Sequence, residues 1–299
     1  MKNLMLFDVL SIAYRHYYRL ERKPLLFNGQ NTSAIHGFLS SALMLLREYH
    51  PTHVAMCMDS GRSFRREFYA AYKSSRGPKP PAMIWSEKVI EQLCKQLRFP
   101  TLKIKGAEAD DIIGTLATAA PTPEFKVLIV SSDKDMGQLV RPGVALLQPN
   151  TDQGYVWMGV KEVLARWDIA STAQVVDVFA LAGDAVDDIP GVPGFGYKTA
   201  AKWLKQYPDV FELYANRGSL PGHLGMKLEE NRERLLISRF LAEIRRDLMD
   251  LLPPVEKLGW RPQTLSAMDV AALDEYGLKT VQQTLNKMVS PYGQRYVPG

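Results

Sequence analysis

The chain has 299 residues, 46% of them apolar and 23% charged, with 37 Lys and Arg against 32 Asp and Glu. That balance excludes wholesale disorder and fibrous repeats, and the length suits one large core or two domains of common size. Only Cys57 and Cys94 occur, which excludes a disulfide framework or a thiolate zinc site. No apolar run approaches the roughly 18 residues of a membrane helix, and the N-terminus carries no signal-peptide pattern. A cytoplasmic protein with no membrane partner is expected.

In chain order, Asn3–Asp8 reads as a buried strand, 34–49 as a helix, His53–Asp59 as a second strand, 86–97 and 108–119 as helices, and Lys126–Ser132 as a third strand. Apolar runs of this kind between helices are typical of parallel strands covered on both faces, so the fold class is α/β. Val144–Gln148 and Tyr155–Met158, across a turn-rich Pro149–Gly154, predict an edge hairpin. Beyond residue 160 the periodicity is helical, near 161–167, 172–182, 197–206 and 227–249. The segment from Pro253 onward reads as a loosely packed appendage.

The acids follow the strands. Asp8 closes the first strand and Asp59 the second, while Asp133 and Asp135 follow the third. Carboxyl ends of parallel strands share one sheet edge, where ligands of α/β folds bind. Gly106-Ala-Glu108-Ala-Asp110-Asp111 adds three acids at a helix start. Helix capping would explain one of them; three in four positions exceed what a cap needs. Gly183-Asp184-Ala-Val-Asp187-Asp188 adds more, although a plain polar loop would read the same way. Two unit charges about 6 Å apart repel by roughly 3 kcal/mol at an effective dielectric of about 20. Converging carboxylates must therefore hold protons or divalent cations, and an all-oxygen donor set suits Mg²⁺ or Mn²⁺. A two-metal site acting on a phosphodiester is the natural use. The five histidines form no metal or nucleophile motif, and Gly191–Thr199 fails as a phosphate-binding P-loop because Tyr197 stands where Lys is required.

Residues 62–79 carry six basic residues (Arg62, Arg65, Arg66, Lys73, Arg76, Lys79) and one acid, Glu67, interleaved with Phe64, Phe68, Tyr69 and Tyr72. Cations that track phosphates and rings that stack on bases suit single-stranded nucleic acid; a solvated helix with a buried aromatic stripe is the alternative. In Ile189–Thr199, Gly191, Gly194 and Gly196 precede a helix start with Lys198, Thr199 and Lys202, a phosphate-backbone clamp or else a plain helix–turn–helix joint.

Together, Asp8, Asp59, Glu108-x-Asp110-Asp111, Asp133-x-Asp135 and Gly183-Asp184-x-x-Asp187-Asp188-Ile-Pro-Gly resemble, from Asp8 to about Trp203, the motif set of the 5′-nuclease (flap endonuclease) family, which includes the 5′→3′ exonuclease domain of bacterial DNA polymerase I and stand-alone bacteriophage 5′-nucleases. Asp188 stands where family members often have Asn. The resemblance implies a parallel-sheet PIN-like nuclease core over 1–160, a helical arch over about 62–95, a helical DNA-binding region over 161–252 with a helix–three-turn–helix at about 184–204, and an extension over 253–299. It implies that Asp8, Asp59, Glu108, Asp110 and Asp111 hold one Mg²⁺ and Asp133, Asp135, Asp184 and Asp187 another, with Mn²⁺ as substitute and K⁺ at the helix–three-turn–helix. It makes Lys73 and Arg76 catalytic, and Arg15, Arg65, Arg66 and Tyr72 contacts to DNA. The implied activity is metal-dependent hydrolysis of DNA at 5′ flaps, nicks and 5′ ends, RNA primer–DNA hybrids included, by a monomer in replication or repair, leaving a 5′-phosphate. In 299 residues there is no polymerase portion, so either a free-standing nuclease or an excised domain fits. Two other readings stay open: a PIN-like ribonuclease, and a non-catalytic module that binds branched DNA.

Overall fold

The computed structural model describes residues 2–120 and 123–289. Its elements run β1 (Lys2–Asp8), α1 (Val9–Arg19), a short ribbon of β2 (Leu26–Phe27) and β3 (Gln30–Asn31), α2 (Ser33–Tyr49), β4 (His53–Cys57), α3 (Phe64–Phe68), α4 (Pro81–Gln96), β5 (Thr101–Leu102), α5 (Ala109–Ala119), β6 (Phe125–Val130), β7 (Val144–Asn150) and β8 (Gly154–Met158). A helical half follows: α6 (Val160–Trp167), α7 (Val175–Ala182), α8 (Tyr197–Leu204), α9 (Val210–Ala215), α10 (Gly222–Glu230), α11 (Arg232–Ala242), α12 (Ala267–Asp274) and α13 (Lys279–Val289).

The sheet order is β5-β4-β1-β6-β7-β8, parallel except for the β7–β8 hairpin. The chain moves outward from β1 through β4 to β5, then returns to lay β6 and β7 on the other side. The β1–β6 boundary is thus the point where strand order reverses, the place where open α/β sheets bind ligands. Register puts Asp8 opposite Cys57 and Phe7 opposite Val130, so the ends of β1, β4 and β6 emerge side by side.

Alternation along each strand divides the core in two. Leu4, Leu6, Val127, Ile129 and Leu146 face one layer with α5, α7, α8 and α11; Met5, Phe7, Leu128, Val130 and Leu147 face the other with α1, α2 and α4. Burial of each such side chain contributes about 1.5–3 kcal/mol. Both sheet faces are therefore covered, as the unbroken apolar runs required.

Three sequence expectations change, and one helix forms where none was expected. The helix predicted from 86 starts at Pro81, because a proline is tolerated at the first helical position, and α4 buries Met83, Val89, Ile90 and Leu93 in the second core. α1 carries no strong helical signal, being rich in β-branched and aromatic residues, yet Asp8 caps it by accepting from the Ser11 N–H at 3.2 Å. The stretch 227–249 is two helices, α10 and α11, and the chain beyond Ala242 leaves the helix. Finally, the described part of the C-terminal segment is not loosely packed. Trp260 stacks on Phe99 at 4.9 Å, and Leu273, Leu278, Val281 and Leu285 lie in the second core. Asp269, fully buried, accepts from Gln96 and Arg98 and so ties α12 to the end of α4. Residues 290–299 of that segment lie outside the described residues. No helix among the described residues is long and apolar enough to cross a membrane.

Candidate metal centre and its basic cover

The strand ends gather the acids as register demands. Asp8 Oδ2 accepts from Ser131 Oγ at 2.7 Å, across β1 and β6. Asp59 Oδ1 accepts from the Ala109 N–H at 2.7 Å, which sets the start of α5 against the end of β4. Asp133 Oδ1 accepts from the Asp135 N–H at 2.9 Å, which fixes the turn after β6. Asp184 Oδ1 accepts from the Val186 N–H at 2.9 Å at the end of α7.

Burial and mutual repulsion push Asp8, Asp59, Asp110, Asp133 and Asp135 toward protonation. Burial raises Asp8 to about 7, with Asp59 and Asp133 adding to it and the Ser131 hydroxyl opposing. Burial raises Asp59, with Glu108 adding to the effect. Asp110 is held well above the usual carboxylate range by burial and then by Asp133 and Asp8. Asp133 rises through burial with the help of Asp187, and Asp135 rises further through burial, Asp133 and Asp187. Glu108 goes the other way: burial alone would raise it, but Lys73 and Arg65 outweigh burial and hold it low.

The basic segment closes over this cluster. Lys73 Nζ lies 2.8 Å from Glu108 Oε1 and 3.6 Å from Asp187 Oδ2, and Arg76 pairs with Asp187. Of the interval expected as an arch, Arg65, Tyr72, Lys73 and Arg76 reach the acids, Phe64 and Phe68 pack on Phe240, and α4 packs into the second core.

Three residues assigned from the sequence in this region are engaged within the protein. The Arg65 guanidinium is 2% exposed. It donates to Asp111 Oδ1 at 2.7 Å, Asp111 Oδ2 at 2.9 Å, Glu108 Oε2 at 3.1 Å and the carbonyls of Leu241 and Glu243. Asp111, fully buried, accepts from Arg65 and from the N–H groups of Glu108 and Arg245, so capping and ion pairing use both its oxygens. Tyr72 is 3% exposed, with its hydroxyl donating to Glu108 Oε2 at 3.1 Å, so its ring is closed to a base. Arg66 is exposed and Arg15 half-buried on α1, as a surface contact requires.

At the clamp, Asp184 and Ile189 exchange backbone hydrogen bonds of 3.0 and 2.9 Å, closing the acidic loop. Gly191, with φ +60°, lies against the end of α7, and a Cβ there would stand 2.4 Å from Gly183 N. Its N–H donates to Ser238 Oγ, and its carbonyl accepts from Arg234 at 2.6 Å. Gly191 therefore serves as a packing joint. Gly194, Gly196, Lys198 and Lys202 are exposed and Thr199 is half-buried, while Ala200, Ala201 and Leu204 bury the opposite face of α8. Gly191→Ala is expected to cost at least about 1–3 kcal/mol in urea denaturation from backbone strain, whereas Gly196→Ala, with open space around its Cα, is expected to change stability by less than about 1 kcal/mol.

Among the described residues no three Asp, Glu, His or Cys side chains stand close enough to hold one ion together. The donor chemistry nevertheless fits divalent cations. The acids supply only oxygen, five of them are pushed up by burial, and Asp135 Oδ1 is buried with no hydrogen-bond partner. An orphaned carboxylate oxygen aimed into a cluster of acids is a free position for a cation.

Sequence reasoning missed Lys134, Tyr197 and Ser131. Lys134 Nζ lies 2.9 Å from Asp184 Oδ2 and 3.4 Å from Tyr197 Oη, above the rings of Phe179 and Tyr197. Its place between Asp133 and Asp135 was the available signal; its pairing with a residue fifty positions away was not. Tyr197 opens the clamp helix, and its hydroxyl donates to the Gly183 carbonyl at 3.2 Å, joining clamp to acidic loop.

A family model described as the N-terminal resolvase-like domain of 5′-3′ exonucleases matches residues 3–168, and one described as the C-terminal SAM fold of 5′-3′ exonucleases matches 170–265. DNA polymerase I of Bacillus caldotenax is 35% identical over 318 residues, covering 99% of this chain and 33% of the polymerase. That of Bacillus subtilis is 37% identical over 254 residues, covering 82% of this chain and 28% of the polymerase. The chain thus spans about a third or less of the length of the curated relatives it matches. Among solved structures, T5 5′-exonuclease with bound divalent metal ions (zinc) aligns at a TM-score of 0.71 and 20% identity, over 97% of this chain and 100% of that one. The catalytic core of Rad2 in complex with DNA substrate aligns at 0.59 and 14%, over 96% and 92%. At these identities the likeness to solved structures establishes the fold.

Proposed function

The chain belongs to the 5′-3′ exonuclease family, and from that membership we propose that it is a divalent-metal-dependent enzyme that hydrolyses DNA at 5′ flaps, nicks and 5′ ends. The observation that carries this reading is the closing of a basic segment, through Lys73 and Arg76, onto buried strand-end acids that are short of counter-charge. In the family's relatives, metal ions are bound by T5 5′-exonuclease and DNA substrate by the Rad2 core.

Asp8, Asp59, Glu108 and Asp110 would hold one Mg²⁺, and Asp133, Asp135, Asp184 and Asp187 another. When bound, such a pair supplies charge stabilisation for both the attacking and the leaving oxygen of an in-line displacement, with a 5′-phosphate as product. The remaining work falls to the chain. Lys198 and Lys202, four residues apart on the exposed face of α8, take the duplex backbone without reading bases. Residues 161–252 form the DNA-binding region, and the protein works as a monomer, on RNA-primed ends as well as DNA. Lys73 and Arg76 exchange their carboxylate partners for the scissile phosphate and offset charge as it develops. K⁺ belongs to the turn carbonyls after Gly191; those of Pro190 and Gly191 already accept from Arg234.

Mapping cleavage on 5′-flap, nicked and blunt DNA with Mg²⁺, beside single-stranded RNA, tests the reading. Cuts confined to the 5′ strand near the junction are expected, and RNA-only cleavage would overturn it. Lys73→Ala is expected to lower kcat by about 10²–10³-fold with little change in substrate affinity; an equal loss in both would make Lys73 a docking group.

Asp8 gives a pH dependence. Its carboxyl moves from 3.8 to about 7 on folding, so between those values the folded chain keeps a proton that the unfolded chain has lost. Without divalent ion, this group's contribution to stability falls as pH rises through that window and levels off above it. Mg²⁺ binds the ionised acids, so the rise in Tm that millimolar Mg²⁺ produces is expected to be larger at about pH 8 than at about pH 5. Equal shifts at both values would refute the metal assignment independently of activity.

A further inference from the structure

The segment that carries Lys73 and Arg76 is fastened at a point that the acid cluster does not explain. Asp188 Oδ2 accepts from both the Ser75 N–H and the Ser75 Oγ, each at 2.8 Å. Alongside, the Lys73 N–H donates to the Asp187 carbonyl at 3.0 Å and Arg76 Nε to the Val186 carbonyl at 3.4 Å. The acidic loop and the basic segment thus run together over four residues, with Ser75 caught at the middle.

Both ends of this fastening hold the backbone in a conformation it does not favour. Lys73 has φ +52° and Asp188 φ +54°, left-handed values that non-glycine residues adopt when surrounding contacts fix them. Residues 74–80 contain no helix or strand and are mostly exposed, so hydrogen bonds to neighbouring loops are what define their path. The bonded oxygen of Asp188 is spent on Ser75.

We propose that Asp188 is a positioning residue, which fastens Ser75 and thereby holds Lys73 and Arg76 over the strand-end acids; this rests on the nuclease reading above. The work is done by an acceptor oxygen at a fixed place, not by negative charge. Asparagine can present its amide oxygen to the same N–H, whereas alanine presents nothing. A catalytic ammonium displaced by about 1 Å loses up to about 10²-fold in rate, because its value lies in orientation.

The test compares Asp188→Ala, Asp188→Asn and Ser75→Ala in the full chain. In steady-state cleavage of 5′-flap DNA, Asp188→Ala is expected to lower kcat by about 10–100-fold with KM within about threefold of wild type. Asp188→Asn is expected to keep most of the wild-type rate, and Ser75→Ala, which retains its backbone N–H, to fall between them. In DNA-free protein, amide hydrogen exchange across 73–76 is expected to quicken in Asp188→Ala and not in Asp188→Asn. Unchanged exchange in Asp188→Ala, a change in KM alone, or an Asp188→Asn variant as slow as Asp188→Ala would each overturn the proposal. If wild type itself fails to cut flap DNA, the nuclease reading falls, and the exchange experiment still decides whether Asp188 fastens the segment. Should Asp188→Ala fold poorly, the Asp188→Asn and Ser75→Ala pair carries the comparison.

Discussion

Asp59→Ala and Asp184→Ala are each expected to reduce cleavage of a 5′-flap substrate in Mg²⁺ by at least about 10³-fold, or about 4 kcal/mol of transition-state stabilisation. The two acids come from opposite parts of the chain: Asp59 follows β4, and Asp184 follows α7. Each holds a local bond that its replacement leaves unmade, Asp59 to the Ala109 N–H and Asp184 to the Val186 N–H and Lys134. Asp59→Asn and Asp184→Asn, which keep an acceptor oxygen but lose the charge, separate that local role from the proposed metal role. If the asparagine variants cut at wild-type rates, the acids are structural. If alanine and asparagine variants are equally inactive while DNA binding persists, their charge is what the reaction uses.

Arg65→Ala is expected to cost about 3–5 kcal/mol of stability, read by urea denaturation, because it strands Asp111 without its partner in the core. Burial by itself would disfavour the charged guanidinium, but Asp111 and Glu108 outweigh burial and hold it more firmly protonated than a free arginine. Asp111 is fully buried, and Arg65 also donates to the carbonyls of Leu241 and Glu243, so one side chain links α3, α5 and the chain after α11. Arg66, the next residue, is exposed, and Arg66→Ala is expected to change stability by less than about 0.5 kcal/mol. Were Arg65 a DNA contact, its replacement would lower affinity and leave the denaturation midpoint in place.

Much of the acid cluster was legible because parallel strands impose their own geometry. An acid after an apolar run must emerge at the carboxyl edge, so Asp8, Asp59 and Asp133 could be placed together from their positions in the chain alone. The hairpin of β7 and β8 and the start of α5 were legible for similarly local reasons: a turn-rich gap between apolar runs, and acids before a helical pattern. α1 was not, since Val9, Ile12, Tyr14 and Tyr17 favour no helix by themselves and form one by packing on α2 and the sheet.

The sequence by itself determined the fold class, the strand-end acids and the presence of a basic segment after Asp59, because apolar periodicity and residue order are local quantities. Only the tertiary structure decided which charges work and which support. Arg65 and Arg66 are adjacent and chemically alike, yet one is sealed against Asp111 and the other faces solvent. Glu108, Asp110 and Asp111 are read as one acidic motif, yet Asp111 is fully buried on Arg65 while Glu108 is shared among Arg65, Tyr72 and Lys73. Helical rotation sends neighbouring side chains in different directions, and what each meets there is set by elements distant in the chain, Leu241, Glu243 and Arg245 among them.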